Sequence, residues 1–266
     1  MNNDKITSRL SISEKIAGSG FFEGIISIRA ILSCNPPKRK IKKIFYAAER
    51  IQSNKKEFGW LKAMSEIHTF EIEILPRSEI DSMAFGTTHG GILASCTDRE
   101  YPELTSEFIE KTRKNGFYTM IEGIEDPFNF GYAVRSVYAA GADAIILSKR
   151  NWMSAAGVVC KSSAGASELC EIAVSDSADS AEIFRSSGFK IICSDIKNSV
   201  SVYESDLIYP LLLIIGGEKR GISRTLLNKA DEIVRLDYGR EFPEALSTAS
   251  AAAILSYEVL RQNRLK

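Results

Sequence analysis

Three turns in this 266-residue sequence gather polar side chains and glycine in patterns that chemistry could use. The first is Glu125-Asp126-Pro127-Phe128-Asn129-Phe130-Gly131, followed by Arg135. Asp126 or Asn129 could cap a helix starting there, and Gly131 permits close backbone approach. Arg135, about a turn and a half further on, is expected to point its guanidinium toward the same mouth. Read alone, this is equally a helix cap with an exposed arginine behind it. The second turn is Gly216-Gly217-Glu218-Lys219-Arg220-Gly221-Ile222-Ser223. Its glycines, following an apolar run, suggest backbone wrapped around a ligand. It lacks the closing G-K-[ST] of a P-loop and the G-x-G-x-x-G of a dinucleotide site. The plainer reading is a tight turn with Ser223 capping the next helix. The third runs from Asp237 to Thr248 into a small-residue helix, STASAAAIL. Such a helix suits a cofactor pocket, a helix-packed dimer contact or an alanine-rich core.

The elements that must hold these turns follow from periodicity. Phe21–Leu32 and Lys55–Glu66 have helical spacing, while Lys43–Ala47, Thr69–Leu75 and Gly90–Cys96 read as strands. Tyr101–Asn115 is a charged connector. Beyond it strands at Phe117–Ile121, Ala144–Leu147, Cys170–Val174, Lys190–Cys193, Leu211–Ile215 and Glu232–Leu236 alternate with helices. These helices are expected at Gly131–Ala140, Ala155–Ser163, Ala178–Ser187, Ser223–Ala230 and Ser247–Arg264. Alternation of this kind predicts an α/β fold with a mainly parallel sheet covered on both faces, whose ligands sit beyond the carboxyl ends of the strands. Two domains are predicted, residues 1–110 and 111–266.

Bulk properties exclude some classes. The chain is 44% hydrophobic and 26% charged, and no apolar run approaches the ~20 residues of a membrane span. The segment MNNDKITSRL lacks a signal core, so a cytoplasmic protein is expected. Five scattered cysteines form no C-x-x-C pair and the only histidines are His68 and His89, so no zinc site is expected. Formal net charge is zero, yet Lys38, Arg39, Lys40, Lys42 and Lys43 cluster after Pro36-Pro37. They suit either a local phosphate contact or a solvated turn.

Together the turns resemble the SpoU/TrmH group of RNA ribose methyltransferases, in the SPOUT superfamily. The group's first motif, D-P-x-N-x-G-x-x-x-R, fits Asp126, Pro127, Asn129, Gly131 and Arg135. Its second, G-x-E-x-x-G, fits Gly216, Glu218 and Gly221, and Lys161-Ser162-Ser163-Ala164-Gly165-Ala166 resembles its K-x-S-A-G-A stretch. The likeness covers residues 116–264. Glu23-Gly24 through Leu32, with Thr88-His89-Gly90-Gly91-Ile92-Leu93-Ala94, resemble the RNA-binding domain often fused to these enzymes, similar in fold to some ribosomal proteins. The third motif departs: Ala245 stands at the family's serine position and Ser247 at its asparagine.

The resemblance implies S-adenosylmethionine as cofactor, methyl transfer to a ribose 2'-hydroxyl, a deep trefoil knot and a homodimer with sites near its interface. It casts Arg135 as the group that activates the hydroxyl, by stabilising the oxyanion, since an arginine with a pKa above ~12 is a poor base. Asn129 would orient Arg135 or the ribose, and Glu218 would hold the motif loops together. Gly216, Gly217, Leu236, Leu246 and Ser247 would line the cofactor pocket, and Lys38, Arg39, Lys40, Lys42 and Lys43 would touch RNA, ribosomal rather than transfer. Two other readings stand beside it. One is a non-catalytic RNA-binding protein on a degenerate methyltransferase fold, motivated by Ala245 and Ser247. The other is a nucleotide- or phosphate-binding metabolic enzyme using Gly216–Gly221, which leaves the first motif unexplained.

Overall fold

In the computed structural model, which describes residues 20–148 and 155–264, the strands sort into two sheets. The segment 1–19, which supplied the reading of a missing signal core, lies outside the described residues. The smaller sheet comes first. Its strands are β1 (Phe21–Glu23), β2 (Ile41–Ala47), β3 (Glu71–Leu75) and β4 (Ile92–Cys96), in the order β1-β4-β2-β3. Helices α1 (Gly24–Ser33), α2 (Arg50–Ser53), α3 (Lys55–His68) and α4 (Arg77–Met83) connect them. The helix expected over Phe21–Leu32 is therefore split. Gly24, at φ +83°, breaks the helical path, and Phe21 to Glu23 pair antiparallel with Ser95 to Leu93. Helix α4 has one fully buried residue, Ile80, too little periodicity for the sequence to announce it.

The larger sheet has seven strands, all parallel where paired: β5 (Phe117–Glu122), β6 (Ala144–Leu147), β7 (Glu171–Val174), β8 (Lys190–Ser194), β9 (Val200–Ser201), β10 (Leu211–Gly216) and β11 (Glu232–Arg235). Their order is β7-β6-β5-β10-β8-β11-β9. The helices are α5 (Ser106–Arg113), α6 (Pro127–Ala139), α7 (Ala156–Ser162), α8 (Ala166–Leu169), α9 (Ser177–Ser186), α10 (Arg224–Leu227) and α11 (Thr248–Arg264). Side chains alternate across a strand. Leu211, Leu213 and Ile215 of β10 pack with Val134 and Val137 of α6 and Leu255 and Val259 of α11 on one face. Leu212 and Ile214 pack with Ile109, Phe184 and Leu226 of α5, α9 and α10 on the other. A continuous apolar run on β10 is what a strand buried on both faces requires.

The two sheets share a joint. Cys160 of α7 enters the core of the smaller sheet, and a Cβ at Gly165 (φ +86°) would stand 2.5 Å from Cβ of Ala30 on α1. Arg39 Nε donates to Glu168 Oε2 at 2.9 Å, with both side chains 3% exposed. Lys38 Nζ donates to the carbonyls of Leu169 (3.0 Å) and Cys170 (2.9 Å) and pairs with Glu171 at 2.7 Å. Arg99 donates to the carbonyls of Ser167 (2.7 Å) and Cys170 (2.8 Å). Lys38 and Arg39, expected to touch RNA, thus help to close the joint, and the Arg39 side chain is buried against Glu168.

Candidate active site

Strands β5 and β10 lie side by side, with Gly216 opposite Glu122 in register, so the first two turns leave the sheet together. The strand order reverses here, as it does where ligands bind in open parallel sheets. The turns touch backbone to backbone. A Cβ on Gly217 would lie 2.3 Å from the carbonyl carbon of Gly123, so only glycine fits. Glu122 Oε2 accepts from the Ser223 amide at 2.9 Å. Asp126 takes the cap of α6, accepting from the Asn129 amide at 2.7 Å, with Pro127 in the first turn. That frees the Asn129 side chain. Its Nδ2 donates to Glu218 Oε1 at 2.8 Å, and Lys219 pairs with Glu125 at 2.7 Å, so the two turns are tied twice.

A cleft of about 230 Å3 opens at the carboxyl ends of β10, β8 and β11. Gly216, Gly217, Glu218, Leu236 and Leu246 all line it. Ser247 does not: its hydroxyl accepts from the Ser250 amide at 3.2 Å, which caps α11. The neighbouring Thr248, 2% exposed, lines the cleft instead and donates to the Gly216 carbonyl at 3.1 Å. Sequence reading passed over Asp195 and Tyr238, which also line the cleft. The Tyr238 hydroxyl accepts from the Leu246 amide at 3.1 Å and so shapes the third turn. Asp195 directly follows β8 and Tyr238 stands three residues beyond the end of β11, positions just past strand ends that could have marked them.

Arg135 goes elsewhere. Six residues separate it from Asn129, about 600° of helix, so the two side chains leave α6 roughly 120° apart. It therefore does not share the mouth that holds Asn129 and Glu218. It lines a second cleft of about 410 Å3 between α6, α7, β1 and the segment 85–88. The guanidinium is exposed and has no hydrogen bond or ion pair among the described residues. Of the expected RNA-contacting lysines, Lys43 is held by Glu71 (3.2 Å) and Glu73 (3.1 Å), whose hydrogen bonds raise its pKa. Lys40 and Lys42 are exposed. Among the described residues no cluster of three His, Cys, Asp or Glu could hold a metal ion. No helix among them is long and apolar enough to cross a membrane.

A parallel sheet with motif turns tied at its reversal point, over a glycine-lined cleft, defines the class. Residues 116–257 match the SpoU rRNA methylase family, and the chain belongs to it. Residues 21–102 match the RNA 2'-O ribose methyltransferase substrate-binding family. Among its relatives is the TrmH family tRNA/rRNA methyltransferase YacO of Bacillus subtilis, 28% identical over 90% of this chain and 95% of that one. Another is the 23S rRNA (guanosine-2'-O-)-methyltransferase RlmB of Pseudomonas putida, 26% identical over 91% and 96%. The fold matches the AdoMet-bound rRNA methyltransferase of Sinorhizobium meliloti at TM-score 0.74, with 20% identity and 94% of each chain covered.

Proposed function

We propose that this protein transfers the methyl group of S-adenosylmethionine to a ribose 2'-hydroxyl of RNA. The observation that carries the reading is the Asn129–Glu218 bond, which ties the two motif turns at the mouth of the cleft lined by Gly216 and Gly217. The cleft suits this cofactor. Ile215, Leu236, Leu246 and Leu255 offer apolar walls for a purine, and Asp195 and Glu218 offer carboxylates for hydroxyls and positive charge. The bound cofactor supplies an electrophilic methyl group on a sulfonium. The chain's task is to hold the acceptor in line, worth roughly 7–11 kcal/mol in favourable cases, and to stabilise the developing oxyanion. Arg135 is the residue we assign to the second part.

Because Arg135 and the cofactor cleft open separately, we propose that two copies of the chain complete each other's site. The exposed Tyr138 of α6 and Ile254 and Tyr257 of α11 support a dimer face on these packed helices. The remaining parts of the reading are a two-domain chain, a deep trefoil knot in the larger sheet, a cytoplasmic location and ribosomal RNA as preferred substrate. Ile109 in the core of the larger sheet favours a boundary ahead of α5 rather than at residue 110. The substrate named for the Pseudomonas putida relative supports ribosomal RNA. Purified protein is expected to bind S-adenosylmethionine. Arg135→Ala should keep that binding while methyl transfer falls by about 10²–10³, the loss typical of a missing oxyanion donor. Unchanged transfer would remove Arg135 from the mechanism. Mapping 2'-O-methyl positions in total RNA with and without the gene identifies the nucleotide. A second reading, RNA binding without catalysis, draws on Ala245, which lines the cleft at the position where the resembled third motif has serine. Absence of cofactor binding in calorimetry would favour it.

A further inference from the structure

Phe128, Tyr132 and Arg135 stand at i, i+4 and i+7 along α6, so they form one stripe on the helix. A stripe of that spacing with two aromatic members ordinarily turns toward a core. This one faces outward: Phe128 is 39% exposed and Tyr132 49%. All three line the second cleft. Its opposite wall comes from the smaller sheet's side of the joint. The Phe85 ring lies 6.2 Å from that of Phe128, the planes inclined by 35°, and the exposed Thr87 and Thr88 continue the wall. Glu23 and Lys161 form the floor. The Glu23 carboxylate accepts from the amides of Phe85 and Gly86 and from Lys161, so its charge is balanced internally. Arg135 is the cation left over.

We propose that this cleft holds one unpaired nucleotide of the substrate RNA, its base on Phe128 and Tyr132 and its phosphate on Arg135. Three features select that occupant. Aromatic rings accept the face of any base, and the forked guanidinium suits a phosphate. The Thr87 and Thr88 hydroxyls can both donate to and accept from a base edge. A duplex keeps its bases stacked on each other, so the rings take only single-stranded RNA. The inference rests on the methyltransferase reading and adds the place where RNA is gripped. Phe128, one of the motif's unspecified positions, becomes a positioning residue that brings the ribose to Arg135.

The test uses the full chain and a labelled, mixed-sequence single-stranded oligoribonucleotide. Phe128→Ala should weaken its binding roughly 5- to 150-fold in fluorescence anisotropy, the effect of losing one base–aromatic stack. Phe128→Tyr should restore most of the affinity, and both variants should bind S-adenosylmethionine as the parent does. In Phe128→Trp, the added indole emission should be quenched by the single strand and left unchanged by a blunt RNA duplex. Parent-like RNA affinity in Phe128→Ala overturns the cleft assignment and leaves the methyltransferase reading standing. Binding without indole quenching does the same. Lost affinity accompanied by a shift toward monomer in sedimentation also overturns it, since the stripe would then be a contact between copies. A parent protein that binds no RNA and transfers no methyl group overturns both.

Discussion

Asn129 and Glu218 hold each other across 89 residues of sequence, and each is the other's reason for pointing where it does. Replacing Glu218 by Gln keeps an acceptor for the Asn129 amide, whereas Ala removes it. A charge-assisted hydrogen bond at the weak end of its range is worth about 1.5 kcal/mol, so Glu218→Ala should lower kcat/KM roughly tenfold. Glu218→Gln should lose less; equal losses in steady-state kinetics would mean the carboxylate acts through its charge. The cysteines carry a separate expectation. Burial pushes the thiols of Cys170 and Cys193 up to about 12, and only thiolates react well, so alkylation at neutral pH should spare both until the chain unfolds. Mass spectrometry of labelled native protein checks this. At this scale the sequence offers candidates by residue type and motif spacing but not the direction each side chain takes. The motif resemblance named Asn129, Glu218 and Arg135 as candidates. The aim of Arg135 depends on helical phase relative to Asn129, and the fate of Lys38 and Arg39 depends on Glu168 and Glu171, acceptors far away in the chain.

The turns work only because β5 and β10 are neighbours. Gly217→Ala tests that contact, since the new Cβ would meet Gly123 at 2.3 Å and force the turns apart. Overpacking of this kind costs about 1–3 kcal/mol, and the cofactor cleft should lose its shape with it. The expected result is a lower melting temperature together with weaker S-adenosylmethionine binding by calorimetry. Strand identities were readable from short continuous apolar runs, as Leu211 to Ile215 illustrate, because two buried faces leave no room for polar residues. The order in which the strands pair was not, because it is set by crossovers whose packing partners lie far along the chain. Short elements escaped for another reason. Phe21–Glu23 sits inside a helical pattern, and its pairing with Leu93–Ser95 overrides local preference.

At the scale of the molecule, the joint is the stability element most open to measurement. Removing one partner of a buried ion pair strands the other charge, at a cost of about 3–5 kcal/mol. Arg39→Ala should therefore lower the denaturation midpoint markedly, and a joint Arg39→Met, Glu168→Leu variant should recover much of it. A variant carrying Arg39→Ala with Glu168→Leu that unfolds at the same midpoint as Arg39→Ala alone would show that the cost comes from lost packing over Phe22 rather than from the orphaned charge.

That same pair limits how the halves can be exchanged. A hybrid joining the first hundred residues of this chain to a remainder without acids at positions 168 and 171 would leave Arg39 and Lys38 without their carboxylates. The portable unit for recombination is thus neither half by itself. It is a half together with the α8–β7 segment that receives its cations.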